Sequence, residues 1–111
     1  MNRFEWKKKG LIYSSSNSDS KLMTHASNPL ATHLGGDIFR VFYSGRDCNN
    51  RSSVSYVDID FRTFDIVDDY KKPIICFGHE HSFYSHGITI GNLWESNGEK
   101  FVGFMGWQHR T

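Results

Sequence analysis

Residues 24–47, THASNPLATHLGGDIFRVFYSGRD, lie without a gap on residues 85–108, SHGITIGNLWESNGEKFVGFMGWQ. His25 falls on His86 and Gly45 on Gly106, each pair 61 positions apart. Thr24 meets Ser85, Ala26 meets Gly87 and Tyr43 meets Phe104. Each segment opens on a hydroxyl residue, a histidine and a small residue, turns at a glycine-containing pair, and returns as an aromatic strand. The turns are Leu34-Gly35-Gly36-Asp37 and Ser96-Asn97-Gly98-Glu99. Asn-Gly suits a two-residue hairpin turn because both central residues take positive φ. A period near 60 residues with about four strands in each predicts blades of a β-propeller. The chain has room for about two, fewer than the roughly 4–8 blades that close a ring.

Working outward, the strand signals come at short intervals. Asp37–Ser44 is apolar except for Arg40, which predicts a strand covered on both faces. Ser53–Asp60 alternates and predicts a half-exposed strand. Pro73–Gly78 begins with a residue that has no N–H, so it predicts an edge strand. Gly10–Tyr13 is a short strand candidate, followed by a polar loop over 14–20. Asp65, Asp68 and Asp69 read as a solvated turn, and Trp6, Trp94 and Trp107 as core. Composition agrees with an all-β fold: Val, Ile, Thr, Phe, Tyr and Trp total 35 of 111 residues, Ala, Leu, Met, Glu and Gln only 15. The expected division is an N-terminal strand and loop (1–23), a first blade (24–84) and the start of a second (85–111).

Net charge is +1, with 13 Lys+Arg against 12 Asp+Glu, so no excess of charge favours nucleic acid or an anionic membrane as partner. No apolar run approaches the ~18 residues of a membrane span, and no apolar stretch follows the N-terminal charges. Cys48 and Cys76 fit neither a disulfide framework nor a zinc motif, so both are expected as free thiols in a reducing, cytoplasmic setting. His79-Glu80-His81 with His86 lacks a fourth ligand, and no metal or other cofactor is expected. The second unit stops just after its second strand, which predicts the N-terminal piece of a larger protein. Its apolar final strand predicts self-association through an open edge.

Several segments together carry a resemblance. They are Trp6-Lys7-Lys8 with Gly10-Leu11-Ile12-Tyr13, His25-Ala26-Ser27-Asn28-Pro29, and Arg40-Val41-Phe42-Tyr43-Ser44-Gly45-Arg46-Asp47. Asn50-Arg51-Ser52, Tyr56-Val57-Asp58-Ile59-Asp60, and Gly87-Ile88 with Gly106-Trp107 complete the set. The chain resembles the N-terminal part of glycoside-hydrolase-like five-bladed β-propellers found among bacterial polysaccharide proteins. The resemblance implies a carbohydrate ligand and a truncated five-bladed ring, in which acidic residues near the channel perform the chemistry. Where many relatives carry an acidic pair before the Gly-Ile/Val of the second blade, this chain reads Phe83-Tyr84-Ser85-His86-Gly87-Ile88, with no carboxylate.

Inner strands near 25–33 and 86–94 would place His25, Asn28, Ser85 and His86 at the channel mouth as substrate-binding residues. The alternative is that each histidine ties its own turn to neighbouring backbone. Asp47, flanked by Arg46 and Arg51, would be held ionised. It is the candidate catalytic carboxylate, offsetting an oxocarbenium-like charge, with Arg46 and Arg51 binding substrate. The alternative for this group is a loop salt bridge and turn cap. Two functions follow: a fragment of a glycan-cleaving or glycan-transferring propeller, or a non-catalytic carbohydrate-binding or scaffold propeller that kept the channel and lost the acids.

Overall fold

The computed structural model describes residues 3–109. It contains six strands and, among the described residues, no helix. They are β1 (Thr24–Gly35), β2 (Ile38–Arg46), β3 (Ser52–Asp60), β4 (Ile66–Asp69), β5 (Gly87–Ser96) and β6 (Glu99–Trp107). The expected all-β class holds. The outer ends of the expected segments, residues 1–2 and 110–111, lie outside the described residues. β1 to β4 form a four-stranded antiparallel meander. β5 and β6 form a second antiparallel hairpin. One parallel pairing, Ser52 with Gly87, joins the hairpin to β3, so the sheet is mixed and not closed.

The two segments of the 24-residue repeat both form hairpins, and their pairings correspond at the tips. Both hairpins turn through two residues, with Gly35 opposite Ile38 and Ser96 opposite Glu99, again 61 positions apart. In the second turn Asn97 and Gly98 have φ of 51° and 79°, as a turn matched to strand twist requires. Bulges fall at different places in β1 and β5, so the two ladders drift apart away from the tip. The matched glycines explain themselves by what covers them. A Cβ on Gly45 would lie 2.8 Å from Leu22 Cδ2, and one on Gly106 would lie 2.5 Å from Tyr84 Cβ and 3.1 Å from the Phe83 ring. Leu22 and Phe83 are themselves 61 positions apart.

β3 is the central strand, and both of its faces are covered. Val57 and Ile59 pack with Tyr43 on one side, joined by Tyr13, Ala26 and Val41. Val54 packs on the other with Ile88 and Ile90 of β5, joined by Leu30, Phe42, Ile75 and Tyr84. The expectation of a half-exposed strand at 53–60 is therefore corrected, and the strand before it, rather than β3, is the less buried. Its serines looked like a solvent face but have internal partners. Ser55 Oγ donates to Lys72 O at 2.6 Å, and Ser53 Oγ accepts from Phe77 N at 3.3 Å. Arg40, the charge in the middle of β2, meets Asp58 on β3 through Nε–Oδ1 at 2.9 Å and Nη2–Oδ2 at 3.1 Å.

Other local expectations change. Gly10–Tyr13 is not a strand. Tyr13 is instead anchored through its hydroxyl, 3.2 Å from that of Tyr43 and 3.1 Å from Asp69 Oδ1, and burial together with these neighbours raises its pKa. Residues 73–78 make only one bridge, Ile75 with Val54. The acidic 65–69 stretch contains β4, because Ile66 and Asp68–Asp69 find register against β3. Trp6 is 95% exposed and Trp94 is half-exposed, so neither is core. Both cysteines are free and exposed. No described helix is long and apolar enough to cross a membrane.

The glycine contacts generate a direct test. Gly106→Ala should cost about 1–3 kcal/mol through overpacking, read as a fall of several degrees in Tm by calorimetry. Gly91→Ala, whose added Cβ would meet nothing closer than 3.7 Å, should leave Tm unchanged or slightly raised. Equal effects at both positions would contradict the packing described.

Candidate functional site

The β2–β3 turn is built around one carboxylate. Asp47 Oδ1 accepts the N–H groups of Asn49 (2.9 Å) and Arg51 (2.8 Å), and Oδ2 accepts Arg51 Nε at 2.8 Å. Backbone bonds close the same turn: Asp47 N donates to Arg51 O and Asn50 N to Asp47 O, each at 3.0 Å. Asn50 takes a φ of 64°, a conformation asparagine tolerates better than most residues. Arg46 Nη1 donates to Asn50 Oδ1 at 2.8 Å. Among the described residues, Arg46 Nε is buried without a hydrogen-bond partner. Asp47 is 8% exposed. Burial pushes its pKa up, but the N–H groups and guanidinium of Arg51 and the N–H of Asn49 outweigh that and hold it below the ordinary carboxylate value.

Arg51 carries the turn into an open cleft of about 590 Å³. Its guanidinium lies over the Phe77 ring, 4.3 Å from the centroid. His81, Glu80, Ser85, His86, Gln108 and His109 line the rest, with Gly78. His86 is fixed by its backbone at the strand junction: its N–H donates to Trp107 O at 3.0 Å, and its carbonyl accepts Ser52 N at 3.2 Å. Its ring meets that of His109 edge-on, with centroids 3.9 Å apart. Burial lowers the His86 pKa, and His109 adds to this, with Asp47 opposing. Gln108 Nε2 donates to Ser82 O at 2.7 Å and His81 O at 3.4 Å, holding the 79–85 loop against the end of β6.

The structure thus brings Arg51, Ser85 and His86 to one cleft and places Asp47 directly behind Arg51. Asp47 and Arg46 do not line the cleft themselves. His25 and Asn28 stand apart. His25 is exposed at a bulge of β1, with φ of 64° and Nδ1 2.8 Å from Thr24 Oγ1. Asn28 Nδ2 donates to Thr89 Oγ1 at 3.3 Å, and Thr89 is also 2.8 Å from Ser44 Oγ in the interior. Sequence reasoning missed Gln108 and His109, although the repeat carried a signal: Gln108 falls on Asp47. Gln108 ties down the 79–85 loop by its amide, and Asp47 ties its own turn by its carboxylate. Among the described residues, no group of three or more His, Cys, Asp or Glu is placed to hold a metal ion. A second groove of about 490 Å³ runs between the two hairpin tips, floored by Phe42, Leu93, Trp94 and Phe101.

Two curated relatives match the chain. They are uncharacterized protein MT1551 of Mycobacterium tuberculosis strain CDC 1551 / Oshkosh and uncharacterized protein Rv1502 of strain ATCC 25618 / H37Rv. Each is 33% identical over 103 residues, which are 92% of this chain and 34% of the relative. The chain therefore spans about a third of the length of the curated relatives it matches. No family model matches the chain, and no solved structure does.

The Asp47 turn has a defined pH signature. A carboxyl whose folded pKa lies below its unfolded value stabilises the fold above the unfolded pKa. That stability is lost as pH falls below the ordinary carboxylate value of 3.8 and through the folded pKa. Asp47→Asn should remove this part of the acid dependence. At neutral pH it should lower stability by about 1–2 kcal/mol, discounted because the Arg51 side chain is partly exposed. Urea melts of both proteins at neutral and acidic pH check this; parallel pH profiles would contradict it.

Proposed function

We propose that the chain forms about two blades of a glycoside-hydrolase-like five-bladed β-propeller and that its polar cleft binds a glycan. The observation that carries this reading is the hydrogen bond from Asn28 on β1 to Thr89 on β5, which joins residues 61 positions apart in the repeat. Equivalent positions of successive inner strands meet around a propeller axis. The four-stranded meander has the strand order of one blade. A relative of which 103 residues make 34% is about 300 residues long, space for about five such units.

The cleft supports binding more fully than bond cleavage. Arg51, Ser85, His86 and His109 offer hydrogen-bond donors, whereas among the described residues Glu80 is the one carboxylate in the lining. Glycoside hydrolysis by the common route takes two carboxyl groups about 5–10 Å apart. In this reading Asp47 is a positioning residue that holds Arg51, and the chain supplies the binding wall of a site whose acids come from further blades. The scarcity of carboxylates in the lining favours the second reading, a non-catalytic carbohydrate-binding propeller, for the chain taken alone.

A glycan array probed with the labelled chain tests the proposal. A bound glycan is expected, with affinity reduced about tenfold or more by His86→Ala, the loss of one to two hydrogen bonds at a site. Trp94→Ala, in the other groove, should leave affinity unchanged. The reading fails if no glycan binds, or if binding follows Trp94 and ignores His86.

A further inference from the structure

We propose that this cleft recognises an acidic sugar, with Arg51, His86 and His109 gathered around its carboxylate or phosphate group; the inference rests on the glycan-binding reading above. The first ground is the count of unspent donors. Arg51 uses Nε on Asp47, and among the described residues its other guanidinium nitrogens make no hydrogen bond. The ring nitrogens of His81, His86 and His109 and the hydroxyl of Ser85 are likewise unengaged among the described residues, while Gln108 has spent its amide N–H on the loop. A lining rich in free donors selects a ligand rich in acceptors, and charge-assisted bonds to an anion are the strongest of these.

The second ground is charge. Facing His86 are Arg46, Arg51 and Asp47 from the β2–β3 turn and His109 from beyond β6; Glu80 and His81 line the same cleft from the 79–85 loop. Among the described residues, the charges around His86 and in the lining are two arginines and two carboxylates, so any protonated imidazole tips that balance towards positive. The two rings lie only 3.9 Å apart, so positive charge on them is self-repelling and an anion set against both offsets that repulsion. Burial first, and the neighbouring His109 ring second, lower the His86 pKa. The third ground is size: about 590 Å³ admits a sugar ring, well beyond a bare ion, and no metal-holding cluster is present among the described residues.

Isothermal titration of the chain with glucuronate, glucose 1-phosphate, glucose and inorganic phosphate tests this at about pH 8 and about pH 6. At least one acidic sugar should bind tenfold or more tighter than glucose, and tighter at the lower pH. The pH gain should disappear in His86→Gln and in His109→Gln; the second is the safer variant because His109 is exposed. Glucose binding as well as the acidic sugars would overturn the charge inference and leave the glycan reading standing. Inorganic phosphate binding as tightly as the acidic sugars would overturn the glycan reading, and no binding by any probe would overturn both.

Discussion

Val54 meets two separate parts of the chain at once. Its N–H donates to Ile75 O and its carbonyl accepts Ile74 N, each at 2.8 Å, so its backbone holds the 73–78 segment. Its side chain, 1% exposed, packs against Ile88 and Ile90 and so holds the second hairpin. Burial of side chains this size contributes about 1.5–3 kcal/mol each. The contact does more than add stability, because β5 and β3 share only one backbone pairing. The hairpin is positioned by apolar packing on β3, and the cleft lies where that packing ends. Arg51, at the start of β3, and His86, at the start of β5, face the same space only because Val54 and Ile88 meet beside them.

Much of this was legible in the sequence, for identifiable reasons. The repeat showed through Gly45 and Gly106 because each is covered too closely to carry a side chain. Both hairpin turns showed because positive φ restricts residue choice. β3 was misjudged because Ser52, Ser53 and Ser55 imitate a solvent-facing alternation, and periodicity cannot tell a serine in water from one bonded to Lys72 or Phe77. β4 was missed because its acids look solvated in isolation, yet Asp69 faces the Tyr13 hydroxyl across 56 positions of chain. Trp6 misled in the opposite sense: its apolar ring suggested core, and the segment around it has no packing partner among the described residues.

The site was legible in part. Arg51, Ser85 and His86, named from the repeat and the basic turn, lie in the lining of one cleft. The role of Asp47 turned on a geometric question that sequence leaves open, whether its oxygens face the ligand or the turn. All three of its side-chain hydrogen bonds go to the turn. His109 carried no motif at all. It reaches His86 only because Gly87 is paired with Trp107, which puts the end of β6 beside the start of β5.

The single pairing of Ser52 with Gly87 also has a bearing on time. Each hairpin is local, and local hairpins close in about 1–10 μs. The junction between them must first close the long loop from 52 to 87, and its reward arrives only when Ile88 and Ile90 reach Val54. The strands are thus expected to form early and the cleft between them to appear last, assembled by the slowest contact in the chain.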